Sequence, residues 1–234
     1  MIASDPEIKI LSETLDYHPI VREYLDILGL RDKIVYIDKS QTYKAELMYT
    51  SCAAPTFHQV LSKLGEQIFL SSGLSKNSNF SNRSAFVPLE KRKYLVYGSR
   101  LGMRNGRPVY NEHQLINELQ SWVETNTTYQ FVDFNTYMKT HKSLEEQREL
   151  FSGAVALVGA HGGFFTNGYF CYENTIVIEA QSVQQNNDVF YVSNSILLHP
   201  YYRVYADNGG GGLKVTASDY IDILKENFPS SSMK

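Results

Sequence analysis

The sequence predicts an α/β protein with a Rossmann-like parallel sheet, and three observations support this fold class. Apolar strands and amphipathic helices alternate about four times after residue 90. The predicted strand over residues 154–158 is continuously apolar, as expected for a strand covered by helices on both faces. Gly159, Gly162 and Gly163 then turn the chain into the next helix, at the sheet edge where open parallel sheets bind ligands.

The first third of the chain is also predicted to be α/β. Strands are expected over residues 7–11 and 33–38, and helices over 19–28 and 57–69, where apolar residues recur at helical spacing. Residues 71–84 are rich in serine and asparagine, which is typical of a polar loop or a linker.

That change of composition predicts a domain boundary near residues 71–90. We therefore expect a small α/β amino-terminal lobe over residues 1–88 and a Rossmann-like lobe over residues 89–234. The predicted strands of the second lobe cover residues 94–97, 130–134, 154–158 and 175–179. Its predicted helices run from Asn111 to about 123, from the Ser143 capping box to 151, from about 165, and over 215–228.

Charge and hydropathy argue against several partners. With a formal net charge of -3 and a pI of about 6.1, the chain lacks the electrostatic footprint of a nucleic-acid-binding protein. No segment reaches the roughly 18 consecutive apolar residues of a membrane-spanning helix, so no membrane contact is expected from this chain itself. Two compartments stay open: the ER or Golgi lumen, if a signal or anchor lies outside this chain, and the cytoplasm.

The glycine-rich turn after residues 154–158 is a candidate ligand site. Gly162 and Gly163 remove side chains where the backbone enters the next helix, and the free amides and helix dipole there suit a diphosphate. His161 lies at the mouth of this turn and can donate a hydrogen bond to a phosphate or to a sugar hydroxyl. The alternative is a glycine turn with a hydrogen-bonded surface histidine.

Further candidates lie at the same edge of the predicted sheet. Glu179 ends a strand, where a carboxylate can accept hydrogen bonds from both ribose hydroxyls; a solvated glutamate is the alternative. Arg100, Arg104 and Arg107 follow the first strand of the second lobe. Their guanidinium groups can bind phosphate oxygens bidentately and neutralise a departing diphosphate, with a solvated basic loop as the alternative.

Several common signatures are absent from the sequence. There is no Asp-x-Asp, the carboxylate pair that usually holds a divalent ion against a sugar-nucleotide diphosphate, so no metal site is expected. Gly-x-Ser-x-Gly, His-Glu-x-x-His, Cys-x-x-Cys and Gly-x-Gly-x-x-Gly are also missing, which argues against common hydrolases, zinc proteases, redox motifs and dinucleotide binders. The glycines within residues 208–212 lack the following Gly-Lys-Ser/Thr of a P-loop, which favours a mobile loop over a phosphate site.

Taken in order, these residues resemble the glycosyltransferase family 61 domain, formerly a domain of unknown function. The family's pattern runs from a strand with Ser-Arg and an Arg-rich loop, through Asn-Glu and Glu-Gln, to an apolar strand, His-Gly-Ala-Gly, Asn, Phe and Val-Ile-Glu. The corresponding residues here are Ser99-Arg100, Arg104 to Arg107, Asn111-Glu112, Glu146-Gln147, residues 154–159, His161-Gly162-Gly163, Asn167, Phe170 and Ile176-Val177-Ile178-Glu179. The resemblance is good over residues 90–180 and loose upstream.

The resemblance implies a GT-B fold, in which two Rossmann-like lobes face a cleft, here with a short or incomplete first lobe. Relatives include O-linked N-acetylglucosaminyltransferases and plant xylosyltransferases. It implies inverting, metal-independent transfer of a sugar from a UDP-sugar, such as UDP-N-acetylglucosamine or UDP-xylose, to a hydroxyl of a glycan or glycoprotein. No cofactor is expected, since the UDP-sugar is a co-substrate. The implied donor-binding residues are His161, Gly162, Gly163, Asn167, Glu179, Arg100, Arg104 and Arg107.

Two departures from the family's pattern bear on activity. Phe164 stands where the pattern has its last glycine, so we expect a narrower turn and altered phosphate geometry or lost activity. The chain is also short for a two-lobed enzyme. A general base usually comes from the acceptor side, and His58 and Asp38 are the candidates, each with a core or surface role as the alternative. The alternative function is a catalytically silent relative or fragment that binds a nucleotide or a partner protein.

Overall fold

The computed structural model describes a defined part of the chain. It covers residues 7–12, 22–23, 25–26, 29–38, 40–44, 91–102, 108–141, 143–184, 187–209, 212–228 and 230–234. The predicted helix over 57–69, the polar segment over 71–84 and the predicted domain boundary lie outside these residues.

The amino-terminal region contains a small parallel sheet. Strand β1 (Ile10–Ser12) pairs with β2 (Ile34–Tyr36), with Ile10 opposite Ile34. A 3-10 turn, Arg31–Lys33, leads into β2, and the described residues of the segment predicted as a helix over 19–28 are helical at 22–23 and 25–26. The described part of this region therefore agrees with the α/β prediction, with shorter strands than expected.

The second lobe is built on a six-stranded sheet with the order β4-β3-β5-β6-β7-β8. The strands are β3 (Tyr94–Gly98), β4 (Gln130–Asp133), β5 (Ala154–Ala160), β6 (Ile176–Ser182), β7 (Tyr201–Gly209) and β8 (Gly212–Lys214). The first five are parallel, and β8 pairs antiparallel with the end of β7. The parallel sheet that the sequence predicted is therefore present.

The strand order reverses beside β3. The chain steps from β3 outward to β4 and then crosses back to the other side of β3 to form β5, from where it continues through β6 and β7. Connections leave the sheet in opposite directions at such a point, so a crevice opens beyond the carboxyl ends of the two strands. In this protein the crevice lies between β3 and β5.

Helices cover both faces of the sheet. They are α1 (Glu112–Asn126), α2 (Phe134–Tyr137), α3 (Leu144–Ser152), α4 (Val189–Ile196) and α5 (Ala217–Asn227), with 3-10 helices at Gly163–Phe170 and Ser230–Ser232. The helix predicted from about 165 is the first of these 3-10 helices. The Ser143 capping box is present as predicted, since Ser143 and Glu146 each bond the other's backbone amide.

Two apolar layers separate the sheet from its helices. On one face, side chains of α1 and α5 pack on alternate residues of β5 and β6; the buried contributors include Leu115, Leu119, Tyr220, Leu224, Val158 and Ile178. On the other face, α3, α4 and the 3-10 helix pack through Phe151, Phe165, Phe170 and Phe190 onto Leu157 and Val177. Burial on both faces explains why β5 and β6 read as continuous apolar runs.

The sequence did not predict α4, β7, β8 or the 3-10 helix Ser230–Ser232 in the segment after β6. The predicted loop over residues 208–212 is wrong in its described part, because Asn208 and Gly209 end β7 and Gly212 begins β8. The backbone of Leu213 is paired with Pro108 and Tyr110, which holds this glycine-rich region in the sheet. Asn111 is the N-cap residue of α1, as predicted, but its side chain makes no capping bond. Its amide instead donates to the Val215 carbonyl and accepts from the Val215 amide.

Candidate functional site

The crevice between β3 and β5 brings two predicted site residues together. Gly98 ends β3 and pairs with Gly159 of β5. Arg100 and His161 each follow their glycine by two residues, so both lie at the same depth beyond the strand ends. A cation and an imidazole therefore flank the point where the strand order reverses.

Arg100 packs directly on the glycine turn. A Cβ on Gly162 would lie 2.4 Å from Nη1 of Arg100, so a side chain there would displace the guanidinium group from this position. The backbone of Gly162 is extended, with φ 170°, so space rather than conformation favours glycine here. Arg100 is 9% exposed, so most of its side chain is removed from water.

The Arg100 backbone is anchored by a buried carboxylate in the first turn of α1. Oε1 of Glu112 accepts a hydrogen bond from the Arg100 amide at 2.6 Å and another from the Tyr97 hydroxyl at 3.1 Å. Burial raises the pKa of Glu112, and the hydrogen bonds from the Arg100 amide and Tyr97 oppose this shift. Sequence reasoning placed Glu112 in the family's pattern without a role, and the structure shows that it fixes the loop carrying Arg100.

His161 forms a buried pair with Glu179. Nδ1 of the imidazole lies 2.6 Å from Oε1 of Glu179, and the histidine is 3% and the glutamate 0% exposed. The ring of Phe190 packs against the imidazole with centroids 5.0 Å apart. Because Glu179 lies on β6 and His161 directly follows β5, adjacent parallel strands fix the two residues side by side.

Both oxygens of Glu179 are engaged. Tyr201 of β7 donates its hydroxyl to Oε2 at 2.5 Å, and Nε of Arg203 lies 3.8 Å from the same oxygen. Arg203 also pairs with Asp188, the N-cap residue of α4, at 2.9 Å. Glu179 therefore has no exposed carboxylate oxygen for the direct contact with ribose that the sequence suggested.

The first backbone amides of the 3-10 helix follow His161 and Gly162 at the carboxyl edge of the sheet. Its first intrahelical bond is donated by the Phe165 amide to the Gly162 carbonyl, so the amides of Gly163 and Phe164 precede the bonded part of the helix. The side chain of Asn167, a predicted donor-binding residue, donates to the Phe164 carbonyl at 2.8 Å. Asn167 is therefore half-buried and tied to the same helix.

Phe164 does not fill the turn. Its ring packs over Gly98, where a Cβ would lie 2.4 Å from the ring, and joins an aromatic cluster with Phe134, Phe151 and Phe165. Positive φ angles among the described non-glycine residues occur at Asn174 and Leu198, so the Phe164 backbone does not need a glycine. The ring therefore lies against the carboxyl end of β3, and its effect on phosphate geometry stays a prediction.

The other predicted site residues fall in two groups. His58, Arg104 and Arg107 lie outside the described residues. Asp38 lies in the amino-terminal region, where its Oδ1 accepts hydrogen bonds from the amide and hydroxyl of Ser40. These bonds lower the pKa of Asp38 and stabilise its ionised form, which makes it a weaker base.

Two kinds of feature are missing from the described residues. In the ranges given above, no three or more histidine, cysteine, aspartate or glutamate side chains are grouped so that they could hold a metal ion. None of the helices in those ranges combines the length and apolar character needed to cross a membrane.

The fold is that of an α/β protein with a parallel sheet, and its candidate ligand site lies at the carboxyl edge of that sheet. Comparison with protein families gives a more specific answer: the family model described as Glycosyltransferase 61 matches residues 10–178. The match covers more than half of the chain, so the protein belongs to the glycosyltransferase 61 family. The matched range includes Arg100 and His161 and ends one residue before Glu179. A search of curated proteins found no match.

Gly98→Ala tests the packing of Phe164 on β3. We expect the free energy of unfolding to fall by about 1–3 kcal/mol in urea denaturation, because the rigid aromatic cluster cannot easily yield to the new methyl group. Gly163→Ala is the matched control: a Cβ there meets nothing within 4 Å, and its effect should stay within about 0.5 kcal/mol. Equal tolerance of both substitutions would contradict this packing.

Glu112→Gln tests the buried carboxylate through the pH dependence of stability. The folded-state pKa of Glu112 is raised above its ordinary 4.5. The contribution of its protonated carboxyl to the free energy of unfolding is therefore fully present below pH 4.5 and is lost as pH rises through the folded-state pKa. We therefore expect the free energy of unfolding of the wild type, relative to Glu112→Gln, to fall between about pH 4 and pH 7. The amide side chain of this variant keeps an oxygen that can accept both hydrogen bonds.

Glu112→Ala is the companion variant, because it removes that acceptor altogether. It should cost about 1–3 kcal/mol at every pH by leaving the Arg100 amide and the Tyr97 hydroxyl without their partner. Wild-type stability that rises relative to Glu112→Gln over the same pH range would show that the site stabilises the carboxylate instead of penalising it.

Proposed function

We propose that this chain is an inverting, metal-independent glycosyltransferase that moves a sugar from a UDP-sugar to a hydroxyl of a glycan or glycoprotein. The main support is the contact between Arg100 and Gly162, next to His161 and the start of the 3-10 helix, beyond the paired ends of β3 and β5. Membership of the glycosyltransferase 61 family supplies the reaction class, which requires a sugar donor and an acceptor.

The chemistry of the crevice suits the donor's diphosphate. A guanidinium group binds phosphate oxygens through paired N–H groups, and the free amides at a helix start add the positive end of its dipole. Arg100 is nearly buried, so its charge is screened less by water than a surface arginine would be. Arg104 and Arg107 are proposed to add further charge from the same loop.

We also propose that sugar transfer needs no metal ion. The leaving diphosphate needs positive charge, and in the absence of an Asp-x-Asp pair the arginines and His161 are assigned that task. Inversion requires an acceptor-side base on the opposite face of the sugar. Of the two candidates, the lowered pKa of Asp38 makes it the weaker base, which leaves His58 as the one to test first.

The donor sugar and the arrangement of the two lobes are proposed from the family resemblance. N-acetylglucosamine and a pentose such as xylose are the proposed donor sugars, and a GT-B arrangement is proposed for the two lobes. Within the donor site, His161, Gly162, Gly163, Asn167 and Arg100 are proposed to contact the donor. Glu179 is proposed to act through His161, because both its oxygens are already engaged.

Titration calorimetry with UDP in the presence of a chelator tests this function. The wild type should bind UDP without divalent metal, and His161→Ala should weaken binding about tenfold or more, since a hydrogen bond to a charged group is lost. His113→Ala is the control, because His113 is an exposed histidine on α1 and should leave the dissociation constant unchanged. No UDP affinity with or without Mn²⁺ would contradict the proposal.

Turnover separates the enzyme from a silent relative. We propose that the enzyme is active, because the Phe164 backbone does not need a glycine. The purified chain should then hydrolyse or transfer the sugar of a UDP-sugar slowly even without its natural acceptor. Binding of UDP without any turnover of the candidate UDP-sugars would favour the catalytically silent alternative.

A further inference from the structure

The buried His161–Glu179 pair is part of a network that reaches the surface through Arg203 and Asp188. Glu179 lies between His161 on one oxygen and Tyr201 on the other, at 2.6 and 2.5 Å. Arg203 approaches the second oxygen at 3.8 Å and is itself held by Asp188. A carboxylate with 0% exposure and partners on both oxygens cannot rotate, so it dictates the position of the imidazole.

The network also fixes where the imidazole carries its proton. An ionised carboxylate only accepts hydrogen bonds, so Nδ1 of His161 must be the donor to Glu179. In the neutral ring, Nε2 is then an acceptor with a lone pair. Within the described residues Nε2 has no hydrogen-bond partner, and it is not among the fully enclosed polar atoms, so it keeps contact with the crevice.

The charges around His161 come from three directions. Glu179 faces it from β6, Arg203 and the neutral Tyr201 hydroxyl lie behind Glu179 on β7, and Asp188 pairs with Arg203 at the start of α4. Two carboxylates and one guanidinium sum to one formal negative charge when the imidazole is neutral. From the loop after β3, Arg100 adds a positive charge on the side of Gly162, and α4 itself presents the apolar Phe190 ring.

A diphosphate that enters this crevice faces Nε2 of a neutral imidazole, which is a hydrogen-bond acceptor and not a donor. The Nε2 lone pair repels an anion, and with Arg100 included the charges around a neutral His161 sum to zero. A proton on Nε2 reverses this, because the imidazolium then donates a charge-assisted hydrogen bond to the diphosphate while Nδ1 still donates to Glu179. The buried carboxylate stabilises the new positive charge.

We propose that Glu179 is a positioning residue for His161, and that a nucleoside diphosphate binds together with one proton, which Nε2 of His161 takes up. An N–H bond forms at Nε2, the proton comes from water or buffer, and no bond of the ligand breaks. The inference rests on the proposed donor site. We expect the pH of the surroundings to regulate donor binding, with tighter binding in more acidic solution.

Tyr201 is the second positioning residue in this network. Burial, followed by the nearby charge of Glu179, raises the pKa of Tyr201 far above its ordinary value, so the hydroxyl stays protonated and donates to Oε2. Tyr201→Phe removes this donor and leaves the carboxylate in place. Tyr202→Phe is a matched control, because Tyr202 is the next residue on β7, faces the other side of the sheet and also donates its hydroxyl, to Asn227.

Calorimetry in buffers of different ionisation enthalpy measures the proton uptake. At about pH 8, wild-type protein should take up about one proton per UDP bound. Glu179→Gln, which keeps an oxygen for Nδ1 but removes the charge, should take up almost none and bind UDP about tenfold more weakly. Tyr201→Phe should weaken UDP binding more than Tyr202→Phe does.

Nitrogen NMR of the histidine rings in the free protein tests the positioning independently of any ligand. The His161 signals, assigned by their loss in His161→Gln, should report a neutral ring with the proton on Nδ1. A ring with its proton on Nε2, or one already doubly protonated at this pH, overturns the proposal. So does UDP binding without proton uptake, or an equal effect of the two tyrosine substitutions. Complete absence of UDP binding would instead refute the donor site itself, while the NMR result still decides the positioning.

Discussion

Close approach of backbone and side chains at three glycines shapes the candidate site. A Cβ on Gly98 would strike the Phe164 ring at 2.4 Å, one on Gly159 would lie 3.0 Å from the Gly98 carbonyl, and one on Gly162 would strike the Arg100 guanidinium at 2.4 Å. The absence of side chains at these positions lets β3 and β5 end side by side. It also lets a buried arginine lie against the turn that leads into the 3-10 helix.

The second feature of the site is the buried carboxylate of Glu179, whose partners satisfy both of its oxygens. Burial of an ionised group costs free energy unless partners replace the lost water, and the network around Glu179 supplies such partners on both oxygens. Its members come from β5, β6, β7 and the start of α4. The network therefore links the crevice to the carboxy-terminal part of the sheet, beyond the residues that the family model matches.

The sequence predicted the parallel sheet and the location of the site because both depend on local patterns. Continuous apolar runs identified β5 and β6, and the glycines identified the turn that follows β5. Residues Tyr201 and Arg203 were missed because β7 was not predicted. Its Asp-Asn-Gly ending resembles a turn, and only pairing with β6 and β8 makes it a strand.

Glu179 and Phe164 show, at single residues, the same limit of prediction from local sequence patterns. A glutamate at the end of a strand is usually solvated, and this one is buried because β6 continues to Ser182 and a neighbouring strand and a helix cover it. Phe164 stands where a glycine was expected, and its ring finds room only because Gly98 lies on the adjacent strand. Neither relation is visible in a local pattern, since each depends on residues far apart in the chain.

The donor's diphosphate is proposed to bind where the strand order reverses, and every other assignment in the site depends on this location. Backbone amide NMR during titration with UDP, compared with uridine, tests it most directly. We expect the amides of Gly162, Gly163 and Phe164 to shift strongly with UDP and little with uridine, because the diphosphate is the group they bind. Shifts confined to another surface, such as the exposed face of α1 around Asn117 and Ser121, would contradict it.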